Sequence, residues 1–438
     1  MEARLLLDPL LRGPLLACAM MGMLGAALGV ILVLRQQSLV GEALSHACYP
    51  GMVVAAILAN GVFSLGNQME GSLVVLGGAA LSSLIAVWFL SYLTERRRLS
   101  SDAALSFVLS SSFATGLLLI SAVQSVYPHL WRQLQALLVG QAATVRDQYA
   151  LLVLYCSLVG LLLFTVFRRS IKTRLFDPDF AKLGHLSNRP LEWLCVILLV
   201  VAIVITIRSM GVVLLSAMLV VPPVTARLLT ANFNRVVWLG ALIGACCGFG
   251  GVLLSHVGGF IHVADRSLWL PTGPLIALLL TLCFCAALFF SPSHGLAIRA
   301  WRRWVFVRRC QRENALKLIW KECVGQGTWV VSAAQFQEIV PVARRSVLRR
   351  LQCSGLLTVH PDGRVEMTQQ GMLMGRKLVR LHRLWELYLV EYCGMAKERV
   401  HPRAEEMEHI LTPEVEQKLA ALLHNPSMDP HQQPIPSS

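Results

Sequence analysis

This chain of 438 residues has little charge, since Asp, Glu, Lys and Arg together make up 15% of it, whereas a soluble globular protein carries about 25%. Its 12 cysteines include no Cys-x-x-Cys pair, and their scattered spacing argues against a disulfide framework. The dipeptide Gly-Lys is absent, so the chain has no phosphate-binding loop of the Gly-x-x-x-x-Gly-Lys-Ser/Thr type. These absences argue against a soluble protein, a disulfide-stapled domain and an ATPase.

Long apolar runs fill the first two thirds of the chain, in which hydrophobic residues reach 55% overall. Such runs predict a mostly α-helical, polytopic membrane protein with about eight or nine spans. The first run, Leu15–Leu34, is long enough to span and precedes Arg35, so we expect no cleavable signal. The predicted spans are 15–34, 51–66, 72–93, 104–124, 149–167, 190–207, 209–229, 236–258 and 272–291.

Positive clusters predict the orientation of these spans. Basic residues concentrate in four segments, at 95–98, 168–182, 227–235 and 299–309. Their positions between the predicted spans are consistent with all four facing the cytosol. The C-terminal part is therefore predicted to be cytosolic. The N-terminus is outside if all nine spans cross, and one re-entrant segment reverses that assignment.

Composition changes at residues 291–293, after which charges are dense and no run is long enough to cross a bilayer. We predict a membrane domain at 1–291 and a basic linker at 292–312, either a solvated helix or a helix on the membrane surface. The remaining segments are predicted as a winged helix-turn-helix at 313–370, a helical domain at 371–424 and an irregular tail at 425–438.

Three polar segments stand out in the membrane half. Glu42 and His46 are four residues apart and face the same way on a helix, where ionisable residues usually mark a pathway; the alternative is a polar loop between spans. Pro222-Pro223, followed by Ala226-Arg227, predicts a helix break and a docking segment for a cytosolic partner, or merely a kinked span end. The third segment is 270–274, Leu-Pro-Thr-Gly-Pro, which opens the last span.

Residues 313–367 follow the order of a winged helix-turn-helix. Helices are predicted at 313–323, 332–339 and 343–354, and a hairpin joins strands 356–359 and 364–367 through Pro361-Asp362-Gly363. Basic residues on the third helix suit contacts to phosphate and guanine. A solvated face, or a surface resting on lipid head groups, explains the same charges. The predicted DNA-binding residues are Arg344, Arg345, Ser346, Arg349 and Arg350.

A cluster of His and Glu closes the chain. His401, Glu405, Glu408 and His409 share one face if the helix continues, and a second pair, His382 and Glu386, precedes them. Imidazole with carboxylate suits manganese, iron or zinc. Ordinary surface residues on helices are the alternative.

The three membrane segments, taken in order, resemble the permease family of zinc, manganese and iron ABC transporters over nearly all of residues 1–291. The resemblance implies a transport subunit, not an enzyme, with Glu42 and His46 on the metal path and Pro223, Ala226 and Arg227 coupling to a separate ATPase. It also implies a second permease chain, the same or a paralogue, and a metal-binding protein outside the bacterial inner membrane. Glu42 stands where many manganese permeases have Asp.

Residues 371–436 resemble the metal-sensing and dimerisation domain of the diphtheria-toxin-repressor family, on the motifs around Arg380–Glu386 and Val400–Leu411. The resemblance assigns His382, Glu386 and His401 to one site and Glu405, Glu408 and His409 to another, with Mn²⁺ or Fe²⁺ as the ion. The family takes a further metal ligand from the first helix, and the positions that align with it here are Asn314 and Lys317. Asn offers only a neutral carbonyl and a protonated Lys cannot bind a metal, so whether the sensor holds one ion or two stays open.

Together these features predict a metal permease fused to a metal-dependent regulator, with manganese first, then iron or zinc, as the transported ion. In one interpretation the tail is a dimeric DNA-binding repressor, either tethered or released by cleavage near 292–312. In the second it is a cytosolic metal-sensing gate without DNA binding. In the third it is only a dimerisation scaffold.

Overall fold

The computed structural model describes residues 9–61, 68–128, 131, 140, 142, 145–183, 189–258, 262–263, 266–267, 270–292, 295–339 and 344–437. The chain forms two compact units, Met1–Ile298 and Arg299–Ser438. The domain boundaries expected from the sequence at residues 291, 312, 370 and 424 remain predictions.

The first unit is helical because apolar segments in a bilayer must satisfy their backbone hydrogen bonds internally. Eight of its described helices are long and apolar enough to cross a membrane, which confirms the predicted polytopic α-helical class. The helices are α1 Pro9–Leu34, α2 Leu39–Gly61, α3 Gln68–Glu95, α4 Ser101–Val126, α5 Asp147–Phe176, α6 Pro178–Leu183, α7 Arg189–Leu229, α8 Phe233–Gly258 and α9 Thr272–Phe290, with short paired strands β1 His262–Val263 and β2 Arg266–Ser267 before α9.

Two predicted boundaries are wrong. Helix α2 begins at Leu39 and not at 51, so Glu42 and His46 lie within a helix instead of a loop. The predicted spans 190–207 and 209–229 lie in α7, which is broken at Gly211, where φ is 75°. The part after the break, Leu214–Leu229, is an apolar helix shorter than a full span.

Small residues let the central helices approach closely. A Cβ placed on Gly22 of α1 would lie 2.2 Å from the carbonyl oxygen of Gly244 in α8, so only glycine permits this crossing. Large buried side chains such as Leu28, Ile203 and Leu215 fill the core beside it.

The second unit begins within a long helix, α10 Leu296–Gln326, which contains both the predicted basic linker from residue 296 and the predicted first helix. It continues with β3 Val330–Val331, α11 Ala333–Ile339, α12 Arg344–Cys353, β4 Leu357–Val359 and β5 Val365–Met367. The strands form one antiparallel sheet in the order β3-β5-β4. Gly363 makes the hairpin turn with φ 83°, a conformation that favours glycine.

The last part of the second unit is helical. Helix α13 Gln369–Glu391 is capped by Thr368, whose hydroxyl accepts a hydrogen bond from the Gly371 N–H. A 3₁₀ turn Lys397–Arg399, α14 Val400–Met407 and α15 Pro413–Leu422 follow. Leu384, Leu419 and Ile435 share a small core, so the tail packs on these helices.

Candidate metal centre and membrane site

His382, Glu386 and His401 form a compact group in the second unit. Helix α13 places His382 and Glu386 one turn apart, and the start of α14 brings in His401. His401 Nδ1 lies 2.9 Å from both His382 Nε2 and Glu386 Oε1, and His382 Nε2 lies 3.2 Å from Glu386 Oε1. Among the described residues, this is the one group of three or more such side chains whose ligand atoms all lie within 4.8 Å of one another.

The charges in this group are set by burial and by hydrogen bonds. Burial raises the pKa of Glu386, but hydrogen bonds with His382 and His401 outweigh it and lower that pKa to about 2. Burial lowers the pKa of His382, whereas hydrogen bonds with Glu386 and Glu408 raise it, and the net pKa is raised. The side chains of this group offer one carboxylate and two imidazole rings, a donor set that suits a borderline or hard divalent cation.

Glu405, Glu408 and His409, the other predicted set, are not assembled as a second group of this kind. Helix α14 ends at Met407. The predicted helical face shared by His401, Glu405, Glu408 and His409 is therefore not continuous. Glu408 is buried and its Oε2 lies 2.5 Å from His382 Nδ1. His409 Nε2 lies 3.6 Å from Glu408 Oε1, while the Glu405 side chain is 45% exposed.

Helix α10 contributes a residue that sequence reasoning missed. Glu313 is buried, and its Oε2 lies 2.8 Å from His409 Nδ1, while its Oε1 accepts a 2.7 Å hydrogen bond from Arg309. Burial raises the pKa of Glu313, but hydrogen bonds with His409 and Arg309 leave it lowered overall. Asn314 Oδ1 is buried without a hydrogen-bond partner. The available signal was the spacing of Glu313 and Lys317, which puts both on one helical face.

Lys317 lies at the same junction. Its Nζ donates to Glu408 Oε1 over 2.6 Å and lies 3.8 Å from Glu405 Oε1. The Lys317 side chain is only 3% exposed and that of Glu408 is fully buried. The buried ammonium of Lys317 thus lies at a position where the family resemblance implies a metal ligand from the first helix.

Helix α12 carries the predicted DNA-binding residues. Val347 and Leu351 are buried in the winged-helix core, which turns Ser346 and Arg349 outward into solvent and leaves Arg350 half-buried. The side chains of Arg344 and Arg345 lie outside the described residues.

In the membrane unit, Glu42 and His46 are half-buried on α2. His46 packs edge-on against Phe113 of α4, with 4.8 Å between ring centroids. Its Nδ1 is buried without a hydrogen-bond partner. Between the two residues, the Ser45 hydroxyl donates to the Glu42 carbonyl over 2.8 Å.

The proline pair lies inside α7, which continues to Leu229, so the predicted helix break at Pro222-Pro223 is wrong. The Thr225 hydroxyl donates to the Val221 carbonyl over 2.7 Å within the same turn. Ala226 is fully buried and Arg227 is exposed. The last of the three polar segments, 270–274, contains the start of α9, and the Ser255 hydroxyl donates to the Leu270 carbonyl over 2.5 Å.

Comparisons with known proteins match each half separately. Residues 8–291 match the ABC 3 transport family, and residues 368–437 match the iron dependent repressor, metal binding and dimerisation domain.

Individual relatives extend this likeness. The chain is 33% identical over 445 residues to a "Probable metal transport system membrane protein" of Chlamydia trachomatis, covering 98% of this chain and 96% of that protein. It is 30% identical over 379 residues to the manganese transport system membrane protein MntC of Bacillus subtilis, covering 86% and 83%. The solved structure of PsaBC from Streptococcus pneumoniae in complex with Fab matches 67% of this chain and 98% of its own, at 25% identity and a TM-score of 0.56.

Proposed function

Because the chain belongs to the ABC 3 transport family and ends in a metal-binding and dimerisation domain of the iron-dependent repressor type, we propose that it imports a divalent metal and senses that metal with its tail. The proposed sensing function is supported chiefly by the group of His382, Glu386 and His401, whose side chains could hold a metal ion. When bound there, a divalent ion would supply a positive charge that ties α13 to α14.

Manganese is the proposed ion, followed by iron and zinc. The tail offers imidazoles and carboxylates and no thiolate in its metal group, and such a donor set favours harder ions than a cysteine-containing site does. Likeness to a manganese transport protein supports the same choice for the permease.

The proposed transport path includes Glu42 and His46. A cation that loses water inside a bilayer needs oxygen or imidazole ligands. Both side chains are half-buried within a candidate span, and the unpaired Nδ1 of His46 retains its capacity to bind.

ATP hydrolysis is assigned to a separate subunit, which we propose to dock at the end of α7. The exposed Arg227 beside the buried Pro223 and Ala226 supports this placement. The working complex in the bacterial inner membrane would have two permease chains, two ATPase subunits and an extracytoplasmic metal-binding protein, with the tail in the cytosol as a dimer.

The tail is proposed to be a metal-dependent DNA-binding repressor. Exposed Ser346 and Arg349 on a helix followed by a three-stranded sheet support this function, since basic residues on such a helix suit phosphates and base edges. The second candidate is a cytosolic gate without DNA binding. It is favoured by the buried contacts of Glu313 with His409 and of Lys317 with Glu408, because these contacts join α10, the helix that follows the membrane domain in sequence, to the sensing residues.

A gel-shift experiment tests the repressor. Residues 299–438, which correspond to the second compact unit, are mixed with DNA from upstream of their own gene, with and without Mn²⁺. The repressor function predicts a shift only with metal. If the tail binds metal but never shifts the DNA, the repressor function is contradicted and the metal-sensing gate is favoured.

A further inference from the structure

Lys317 lies beside the expected second metal set. Its Nζ lies 2.6 Å from Glu408 Oε1 and 3.8 Å from Glu405 Oε1. With the Lys317 side chain 3% exposed and the Glu408 side chain fully buried, little water is available to stabilise either charge. Each therefore depends on the other.

Glu408 has no oxygen left without a partner. Oε1 accepts from Lys317, and Oε2 lies 2.5 Å from His382 Nδ1. In the tautomer with hydrogen on Nδ1, His382 donates to Glu408 and directs the lone pair of Nε2 toward His401 and Glu386. A carboxylate holding the far nitrogen of a histidine is the usual arrangement behind a metal ligand.

The remaining members of the expected second set do not compensate. His409 Nδ1 is paired with Glu313, and only its Nε2 is left without a hydrogen bond, 3.6 Å from Glu408 Oε1. A protonated lysine has no lone pair to offer a metal. Its charge also repels a divalent ion placed beside Glu408.

From this geometry we propose that the Lys317 ammonium permanently takes the place of a second metal ion. Glu408 then serves as the positioning residue for His382, and each sensor domain binds one divalent ion through His382, Glu386 and His401. This inference rests on the proposed metal-sensing function and deepens it.

An ordinary structural ion pair makes a different prediction. If Lys317 and Glu408 only stabilised the fold, removing the ammonium would lower stability and leave the number of bound ions unchanged. The number of ions therefore distinguishes the two roles, whereas stability alone does not.

The test counts Mn²⁺ bound to the full chain in detergent by equilibrium dialysis and elemental analysis. The tail's share is the difference between wild type and a variant in which both predicted ligand sets are replaced, His382→Ala/Glu386→Ala/His401→Ala/Glu405→Ala/Glu408→Ala/His409→Ala, so that any ion held by the membrane unit cancels. We expect a difference of one ion for the wild type. Lys317→Glu, which removes the ammonium and adds a carboxylate, should raise the wild-type count by one ion. Lys317→Arg, which keeps the charge, should leave it unchanged.

Lys317→Gln provides a second way to remove the charge if Lys317→Glu does not fold, and retention of the first ion in each variant shows that the site is intact. A wild-type difference of two ions, or no additional ion in a folded variant without the ammonium, would overturn the inference. A wild-type difference of zero would overturn the metal-sensing function itself, and this inference with it.

Discussion

The membrane site and the tail site contain the same pair of residue types at the same helical spacing, but the histidines of the two pairs have different neighbours. Glu42 and His46 on α2, like His382 and Glu386 on α13, are a Glu and a His one helical turn apart. In the tail, His401 and Glu408 hold both ring nitrogens of His382. In the membrane, His46 has an aromatic ring beside it and a buried Nδ1 without a hydrogen bond.

This difference agrees with the two proposed tasks. A transport site must accept an ion and then release it, so a sparsely held pair of ligands is suitable. A sensing site must retain its ion at a defined concentration, and ligands fixed by their neighbours lose less freedom on binding. The spacing of the residues is therefore a poor guide to their task, and the partners around them are a better one.

The largest effect is expected in the membrane site. Glu42→Ala or His46→Ala should abolish metal uptake, because a cation that loses water inside a bilayer needs oxygen or imidazole ligands. Radiolabelled Mn²⁺ uptake into cells or proteoliposomes measures this effect. Leu58→Ala, an exposed position on the same helix, is the matched control and should transport normally. Wild-type uptake by both site variants would remove these residues from the path.

Reversing a charge at the end of α7 should have the next largest effect. Arg227→Glu is expected to uncouple transport by disturbing the docking of the ATPase, which is measured by co-purification and by metal-dependent ATP hydrolysis. Arg169→Glu changes another exposed arginine, on α5, and should be tolerated. If the Arg227 variant retains both properties at the wild-type level, the docking site lies elsewhere.

A smaller effect is expected on α12. Arg349→Ala in residues 299–438 should weaken metal-dependent DNA binding by about 1–3 kcal/mol, the range for a basic side chain that contacts bases. Fluorescence anisotropy measures the change, and Arg403→Ala, which alters an exposed arginine on α14, serves as control. Equal losses in the two variants would indicate a general effect of charge.

The smallest effect is expected at Glu405. Glu405→Ala should change Mn²⁺ affinity less than threefold, about 0.6 kcal/mol, because its side chain is 45% exposed and stands outside the metal group. Calorimetry on residues 299–438 measures it. A loss comparable to that of His401→Ala would return Glu405 to the set of ligands.

Local patterns account for much of what the sequence predicted. The long apolar runs predicted the class of the membrane unit, and Pro361-Asp362-Gly363 predicted the hairpin because Gly363 adopts a positive φ. The start of α2 was missed, since Glu42, Ser45 and His46 lower the local hydropathy. Packing of its buried Leu44, Cys48 and Tyr49 outweighs that signal.

Long-range partners were beyond the reach of the sequence. Lys317 and Glu408 meet across 91 residues, and Glu313 meets His409 across 96. Alignment to the family pointed to Asn314 and Lys317, while the structure adds Glu313. No local period encodes which of these side chains meets which histidine, because that depends on how α10 packs beside α13 and α14.

The metal-sensing function is tested most directly by calorimetric titration of Mn²⁺ into residues 299–438, comparing wild type with the triple variant His382→Ala/Glu386→Ala/His401→Ala. His431→Ala, which removes an exposed histidine in the tail, is the control. We expect wild type and control to bind with equal affinity, and we expect the triple variant to lose at least about 100-fold in affinity, or about 2.7 kcal/mol. Undiminished binding by the triple variant would contradict the assignment of a metal-sensing site to these residues.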